Sequence, residues 1–260
     1  MTAQPTALPT GHVAQIWRHP IKSLGAERVG RIALAAGRTM PFDRVWALAH
    51  EKTRFDFDAP GWAPCQSFLR GSIAPLFGAV TARVDEAAGR LTLSHPELED
   101  ISIDPDDTAD RVHFLGWVAP ICPLGVPGPL GIARAPGRGM TDTDYASVSV
   151  KSLASLRALG EQMGVTLDPR RFRGNIWLDG LTPWAEFDWV GREITVGGGR
   201  LKVVERVVRC NATKNNPVTG IRDADTLGAL EAHFGHKDFG VYCEVIEGGS
   251  VADGDLAGLV

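Results

Sequence analysis

Residues 120–139 carry five prolines and five glycines in twenty positions. Proline fixes φ and removes a backbone donor, and glycine loses the most freedom on ordering, so half of this segment resists helix and central strand alike. It reads as a linker or long loop, and it parts the chain into a half at 12–119 and a half at 140–260. Loops of such length in compact chains often border functional sites. Residues 1–11 are small and polar, lack the charged and apolar regions of a signal peptide, and read as a disordered tail.

Within both halves the apolar runs are short. Residues 12–18 alternate, with Val13 and Ile16 expected inward. Residues 27–34 form a second expected strand, and the unbroken apolar run at 45–49 a buried one. Segments 79–85 and 90–94 read as a hairpin across 86–89, and segments 193–196 and 200–205 as another across Gly197, Gly198 and Gly199. That glycine run lies between strands, opens no helix and is no phosphate loop. Further strands are expected at 100–104, 145–150, 176–179 and 239–246. Two segments carry helical spacing. One follows a cap at Ser149 or Ser152, has Leu153, Leu156, Leu159 and Met163 on one face, and stops at Gly164. The other spans 223–234, with Leu227, Leu230 and Phe234 together and Gly235 as its stop. Many strands with few helices predict a mainly β, α+β or barrel-like architecture rather than a βαβ repeat. Trp184, Phe187 and Trp189 read as core aromatics of such a fold.

A formal net charge of −4 argues against a broad nucleic-acid-binding face, so any anion binding has to be local. No run of about 18 apolar residues offers a membrane span. The cysteines, Cys65, Cys122, Cys210 and Cys243, form no CxxC pair, and the seven histidines form no HExxH. The acidic stretch at 96–110 lacks the EF-hand pattern. A cytoplasmic protein with reduced thiols fits best.

Cys210 stands between Arg206, Arg209 and Lys214, after a β-rich segment and before a turn rich in Gly, Pro and Asn. Cationic neighbours favour a thiolate, the form that attacks electrophiles or binds soft metals. Free cysteine is also among the most often buried residues, so this stretch alone favours a structural cysteine beside surface arginines. Taken singly, Lys22 reads as a solvated turn residue and Arg44 as an ion-pair partner of Asp43 or Glu51.

Several segments match one family in order. They are Pro20-Ile21-Lys22-Ser23, Asp43-Arg44-Val45-Trp46, Arg173-Gly174-Asn175, Arg209-Cys210, Asn216-Pro217-Val218-Thr219-Gly220, Phe239-Gly240-Val241-Tyr242 and Asp253-Gly254-Asp255. From about His12 onward the chain resembles the MOSC proteins, and most of all the two-part subgroup with an N-terminal β-barrel domain before the MOSC domain. That subgroup includes the mitochondrial amidoxime-reducing component. The resemblance implies a MOSC-type barrel at 140–260 behind a smaller β-rich domain. It also implies a molybdenum–pterin cofactor of the molybdopterin type, its metal held by Cys210, since soft thiolate suits a thiophilic metal. Lys22, Ser23 and Arg44 match positions that meet the pterin's terminal phosphate, where a guanidinium binds bidentately. Arg173 and Asn175 match the positions that hold the pterin. Arg209, Thr141 and Thr143 match further cofactor contacts, and Thr213 and Asn216 lie where the metal chemistry would be served.

The chain departs from the family at three places. Asn216 stands where relatives carry an acid before the proline, Val208 where some carry a small polar residue, and Gly174 where a proline is common. The activity implied is reduction of N-hydroxylated or N-oxide substrates. Electrons would come from a separate flavin or iron–sulfur reductase, because the chain has neither a ferredoxin-type cysteine cluster nor a dinucleotide fingerprint. The same resemblance admits a sulfur carrier working through a Cys210 persulfide, and a non-catalytic cofactor-binding module.

Overall fold

A computed structural model describes residues 10–260. In chain order the first half contains β1 (Thr10–Arg18), β2 (Ile21–Lys22), β3 (Glu27–Val29), β4 (Arg31–Leu34), β5 (Trp46–His50), β6 (Thr81–Asp85), β7 (Arg90–His95), β8 (Leu98–Ile103), α1 (Thr108–Val118) and β9 (Pro129–Arg134). The second contains β10 (Val148–Ser152), α2 (Leu153–Met163), β11 (Ile176–Asp179), β12 (Glu193–Val196), β13 (Gly199–Val208), α3 (Thr226–Phe234), β14 (Asp238–Glu247), β15 (Gly249–Ala252) and β16 (Leu256–Leu259). The protein is mainly β, as its punctuation requires.

In β1, Val13 and Ile16 are both buried, although strict alternation would separate them. A register shift between Val13 and Gln15 against β11 resolves this, because the extra residue turns both side chains to one face. β1 also closes the principal sheet. The strands run β11-β10-β14-β13-β12-β16-β1, and β1 pairs back to β11, giving a seven-stranded barrel with β3 added outside β1. β10 and β11 are parallel, and α2 supplies the crossover between them. Inward residues such as Val148, Val150, Leu178, Ile194, Val203 and Val241 fill the barrel, together with Trp189 and Phe187. Outside it, α2 and α3 cover Trp177, Phe172 and Phe239. Ser152 caps α2 by accepting from Ser155 N at 3.2 Å, and Gly164 ends it at φ 68°.

The first half holds two small sheets, β6-β7-β8 and β2-β5-β9, with α1 packed on their core. β5 is buried along its whole length. Trp46 and Leu48 face one apolar cluster, Ala47 and Ala49 another, which is why its sequence is apolar without alternation.

The structure departs from sequence expectation at several points. The tail expected at 1–11 lies outside the described residues up to position 9, and Thr10 and Gly11 belong to β1. The expected linker at 120–139 contains β9. It is an edge strand paired only to β5, and Pro129 is its first residue, the place where a missing donor costs least. The acidic stretch at 96–110 runs into α1, which Asp107 caps by accepting from Asp110 N at 2.9 Å. The single strand expected at 27–34 is two, since Gly30 lets β3 join β1 and β4 join β15. Trp184, Phe187 and Trp189 pack as core or near-core aromatics. Among the described residues no helix is long and apolar enough to cross a membrane.

Candidate functional site

Where β13 ends at Val208, the chain turns. Cys210 precedes a short 3-10 turn over Asn211–Lys214, and its side chain is exposed. The turn is fixed from behind by Thr213, which is fully buried. Its hydroxyl meets Cys210 O at 3.1 Å and Thr226 Oγ1 at 2.6 Å.

Cys210 borders a cavity of about 680 Å³ lying between the two halves of the molecule. Seven of the eleven residues expected to serve the cofactor, the metal or catalysis border it: Lys22, Ser23, Arg44, Thr143, Arg173, Arg209 and Cys210. Four do not. Asn175 is buried behind the wall, where its amide oxygen accepts from Ser149 N at 3.0 Å and Ser149 Oγ at 2.9 Å. It positions Ser149, which does border the cavity. Thr141 is buried and its hydroxyl is taken up by Arg138. Thr213 holds the turn. Asn216 accepts from Val218 N and donates to Asp223 Oδ2, so it shapes the Asn-Pro turn.

Of the five non-glycine residues with positive φ among the described residues, three lie on this cavity: Ser23 at 73°, Arg44 at 53° and Arg173 at 46°. Left-handed backbone at side-chain-bearing residues is strained, and such strain collects at binding sites because tertiary contacts have to hold it. Here the contacts are visible. Arg44 N donates to His19 O at 2.7 Å, and Arg44 O accepts from Met140 N at 2.7 Å. The Arg44 guanidinium pairs with fully buried Asp43 and donates to Arg173 O at 2.9 Å. Arg173 in turn reaches the carbonyls of Ile21 at 3.2 Å and Gly25 at 3.3 Å, joining the second half to the first. Arg209 donates to Phe172 O at 3.0 Å.

Lys22 is buried, not solvated as its turn suggested, and its ammonium meets Met140 O at 2.8 Å and Asp142. The Asp142 side chain is 53% exposed; partial burial works to raise its carboxyl, but Lys22 and Arg44 bring it down to about 2, so it is an anion at neutral pH. Burial and the nearby Arg173 charge push His19 down to about 3, leaving a neutral ring against Asp43. Burial likewise works to raise Asp43, and Arg44 outweighs it, holding the carboxyl below the ordinary range. Burial and Arg44 push Arg173 down to about 9, which still leaves it a cation at neutral pH.

Seven lysine or arginine side chains border the cavity against three carboxylates, Asp142, Asp144 and Glu205. The chain's net charge gives no hint of this, because the folding of distant segments creates it. Such a cavity attracts anions. Two of its arginines, Arg70 and Arg209, each bury an Nε that has no hydrogen-bond partner among the described residues, an arrangement costly unless a ligand supplies the acceptor. The cationic lining and the exposed Cys210 thiol fit a phosphate-bearing group with a thiophilic centre. Arg70, Asp142, Ser149, Lys151, Glu205 and Tyr242 also border the cavity, and none of them was expected there as a site residue. Only Lys151 carries a visible signal, a lone charge inside an otherwise uncharged buried strand.

Comparison with known proteins bears on the whole chain. Residues 10–119 match the MOSC N-terminal beta barrel domain and residues 138–256 the MOSC domain. Among curated proteins there is no significant match. Among solved structures, the YuaD protein of Bacillus subtilis is similar over 96% of this chain and 95% of its own, at 14% identity and a TM-score of 0.48. YiiM of Geobacillus stearothermophilus is similar over 44% of this chain and 53% of its own, at 20% identity and a TM-score of 0.33. Neither likeness is strong enough to carry an argument about activity. The two adjoining domain matches, lying on either side of the cavity that Lys22, Arg44, Arg173 and Cys210 share, establish that the chain belongs to the MOSC proteins in their two-part form.

Proposed function

We propose that the cavity binds a molybdenum cofactor of the molybdopterin type. We further propose that the protein is an oxidoreductase that reduces N-hydroxylated or N-oxide small molecules. The observation that carries this reading is that one exposed thiol, Cys210, and a cluster of fixed cations border the same cavity. The family, associated with molybdenum cofactor binding, supports the cofactor's identity. Cys210 would hold the metal. Arg44, Arg173 and Arg209 would meet the phosphate and pterin, with Lys22 shared between that phosphate and Asp142. Bound there, the group would supply two-electron chemistry at a thiophilic metal.

The protein's own part is binding and orientation. Backbone carbonyls already engage Arg173 and Arg209, so little side-chain entropy remains to be lost on binding. Asn216 donates to Asp223 and does not border the cavity. Protons for the substrate would therefore come through the cavity's own acids or solvent. Electrons would come from a separate flavin or iron–sulfur reductase. Four free cysteines agree with cytoplasmic surroundings.

The test is metal and pterin analysis of protein made in a host that synthesises the cofactor. Near-stoichiometric molybdenum is expected for the wild type and little for Cys210→Ser. Turnover of a hydroxylamine analogue with NAD(P)H and a purified reductase then tests the activity. No turnover at full molybdenum occupancy would sink the reductase reading, and a labile sulfur adduct on Cys210 would favour a sulfur carrier instead.

A further inference from the structure

Lys151 lies in β10 with 1% of its surface exposed, and it borders the cavity. Its neighbours in the strand are valines and serines, so nothing in the local pattern calls for an amine. Two missing side chains make room for it. A Cβ at Gly174 would lie 2.4 Å from Lys151 Cδ, and one at Gly240 would lie 2.6 Å from Lys151 Cγ. Gly174 and Gly240 are thus the two glycines that accommodate this stem.

Lys151 Nζ donates to Phe239 O at 2.9 Å and sits 5.8 Å from the centre of the Phe239 ring. An ammonium has three donors, and among the described residues this carbonyl is its one hydrogen-bond partner. The charges around it are Arg209 and Arg44, which oppose protonation, and Glu186 and Asp142, which favour it, while the buried Cys243 thiol also lies within its field. Burial first, then Arg209 and Arg44, hold the amine well below an ordinary lysine.

We propose that Lys151 is a further anion-binding residue of the cavity, and that an oxyanion entering it is bound together with one proton, taken from solvent by the Lys151 amine. The proposal rests on the anionic-ligand part of the proposed function. A dianion offsets the field of Arg44 and Arg209 and offers acceptors for the two unused N–H groups, so it favours the ammonium. Linkage then runs both ways: anion promotes proton uptake, and proton uptake tightens the anion.

The experiment uses full-length protein from a host that makes no cofactor, with sulfate as the probe because its charge is constant near neutral pH. Calorimetry in buffers of different ionisation enthalpy counts the protons taken up. Net proton uptake with sulfate is expected near neutral pH, with affinity falling as the solution becomes more alkaline. Lys151→Met keeps an unbranched stem of similar reach. It is expected to bind sulfate more weakly, without that proton and with a nearly flat pH dependence. Sulfate binding without proton uptake in the wild type, or with equal uptake in Lys151→Met, would overturn the inference and leave the anion cavity standing. The wild-type result decides this even if the variant does not fold. No sulfate binding at all would overturn the anionic-ligand reading, and the inference with it.

Discussion

Arg44 donates from its guanidinium to the backbone carbonyl of Arg173 at 2.9 Å, so two left-handed residues from opposite halves of the chain hold one another in place. The other arm of that guanidinium neutralises Asp43, which has no exposed surface. Removing Arg44 would therefore leave a buried carboxylate unpaired. Arg44→Met is expected to lower unfolding stability by about 3–5 kcal/mol, read from urea midpoints. Adding Asp43→Asn should recover a good part of that loss, and a double variant no better than the single one would refute this account.

A double-mutant cycle tests the packing of Lys151 against Gly174. Gly174→Ala alone puts a methyl group 2.4 Å from Lys151 Cδ and is expected to cost about 1–3 kcal/mol. In a Lys151→Ala background the same change should cost almost nothing, because the obstructing stem is gone. Additive effects of the two substitutions would show that the clash is relieved elsewhere.

Glu186 gives the fold a pH dependence. Its carboxyl is fully buried, and both of its oxygens lie 3.0 Å from Ser155 Oγ. Burial pushes it up to about 7. A carboxyl raised on folding favours the native state below its unfolded value and loses that contribution as pH rises through its folded value. The wild type should therefore lose on the order of 2–3 kcal/mol between about pH 4.5 and 7 through this group. Melting temperatures across that range should fall less steeply in Glu186→Gln, and parallel curves for the two proteins would refute the assignment.

Cys210 carries little of the fold, since its side chain is exposed. Cys210→Ser is expected to change stability by less than about 0.5 kcal/mol. A large loss on chemical denaturation would mean the thiol serves structure rather than a ligand.

Much of this architecture can be read directly from the residues. Ser152 and Gly164 mark the ends of α2 because capping and left-handed stops are local chemistry. The hairpin of β6 and β7 is equally local. What escaped depended on distant partners. Pro129 can start β9 only because β5 offers an edge, and α1 is hidden behind an acidic run whose Asp107 turns out to be a cap. At the cavity, Lys22, Arg44 and Arg173 were legible through family likeness, and the structure brings them together with Cys210. Lys151 and Asp142 were not, because each takes its meaning from a neighbour far away in sequence: Gly240 for the one, Lys22 for the other.

β1 lies within the segment matching the N-terminal domain, yet it is the strand that closes the barrel of the other. Its first residues pair with β16, Thr10 facing Gly258, and its middle pairs with β11. A genetic crossover anywhere between positions 119 and 138 would therefore hand the downstream product a barrel missing one stave, with the edges of β11 and β16 bare. The two segments are separable as patterns of letters but not as heritable parts, and a lineage that shuffled one without the other would have to bring β1 along.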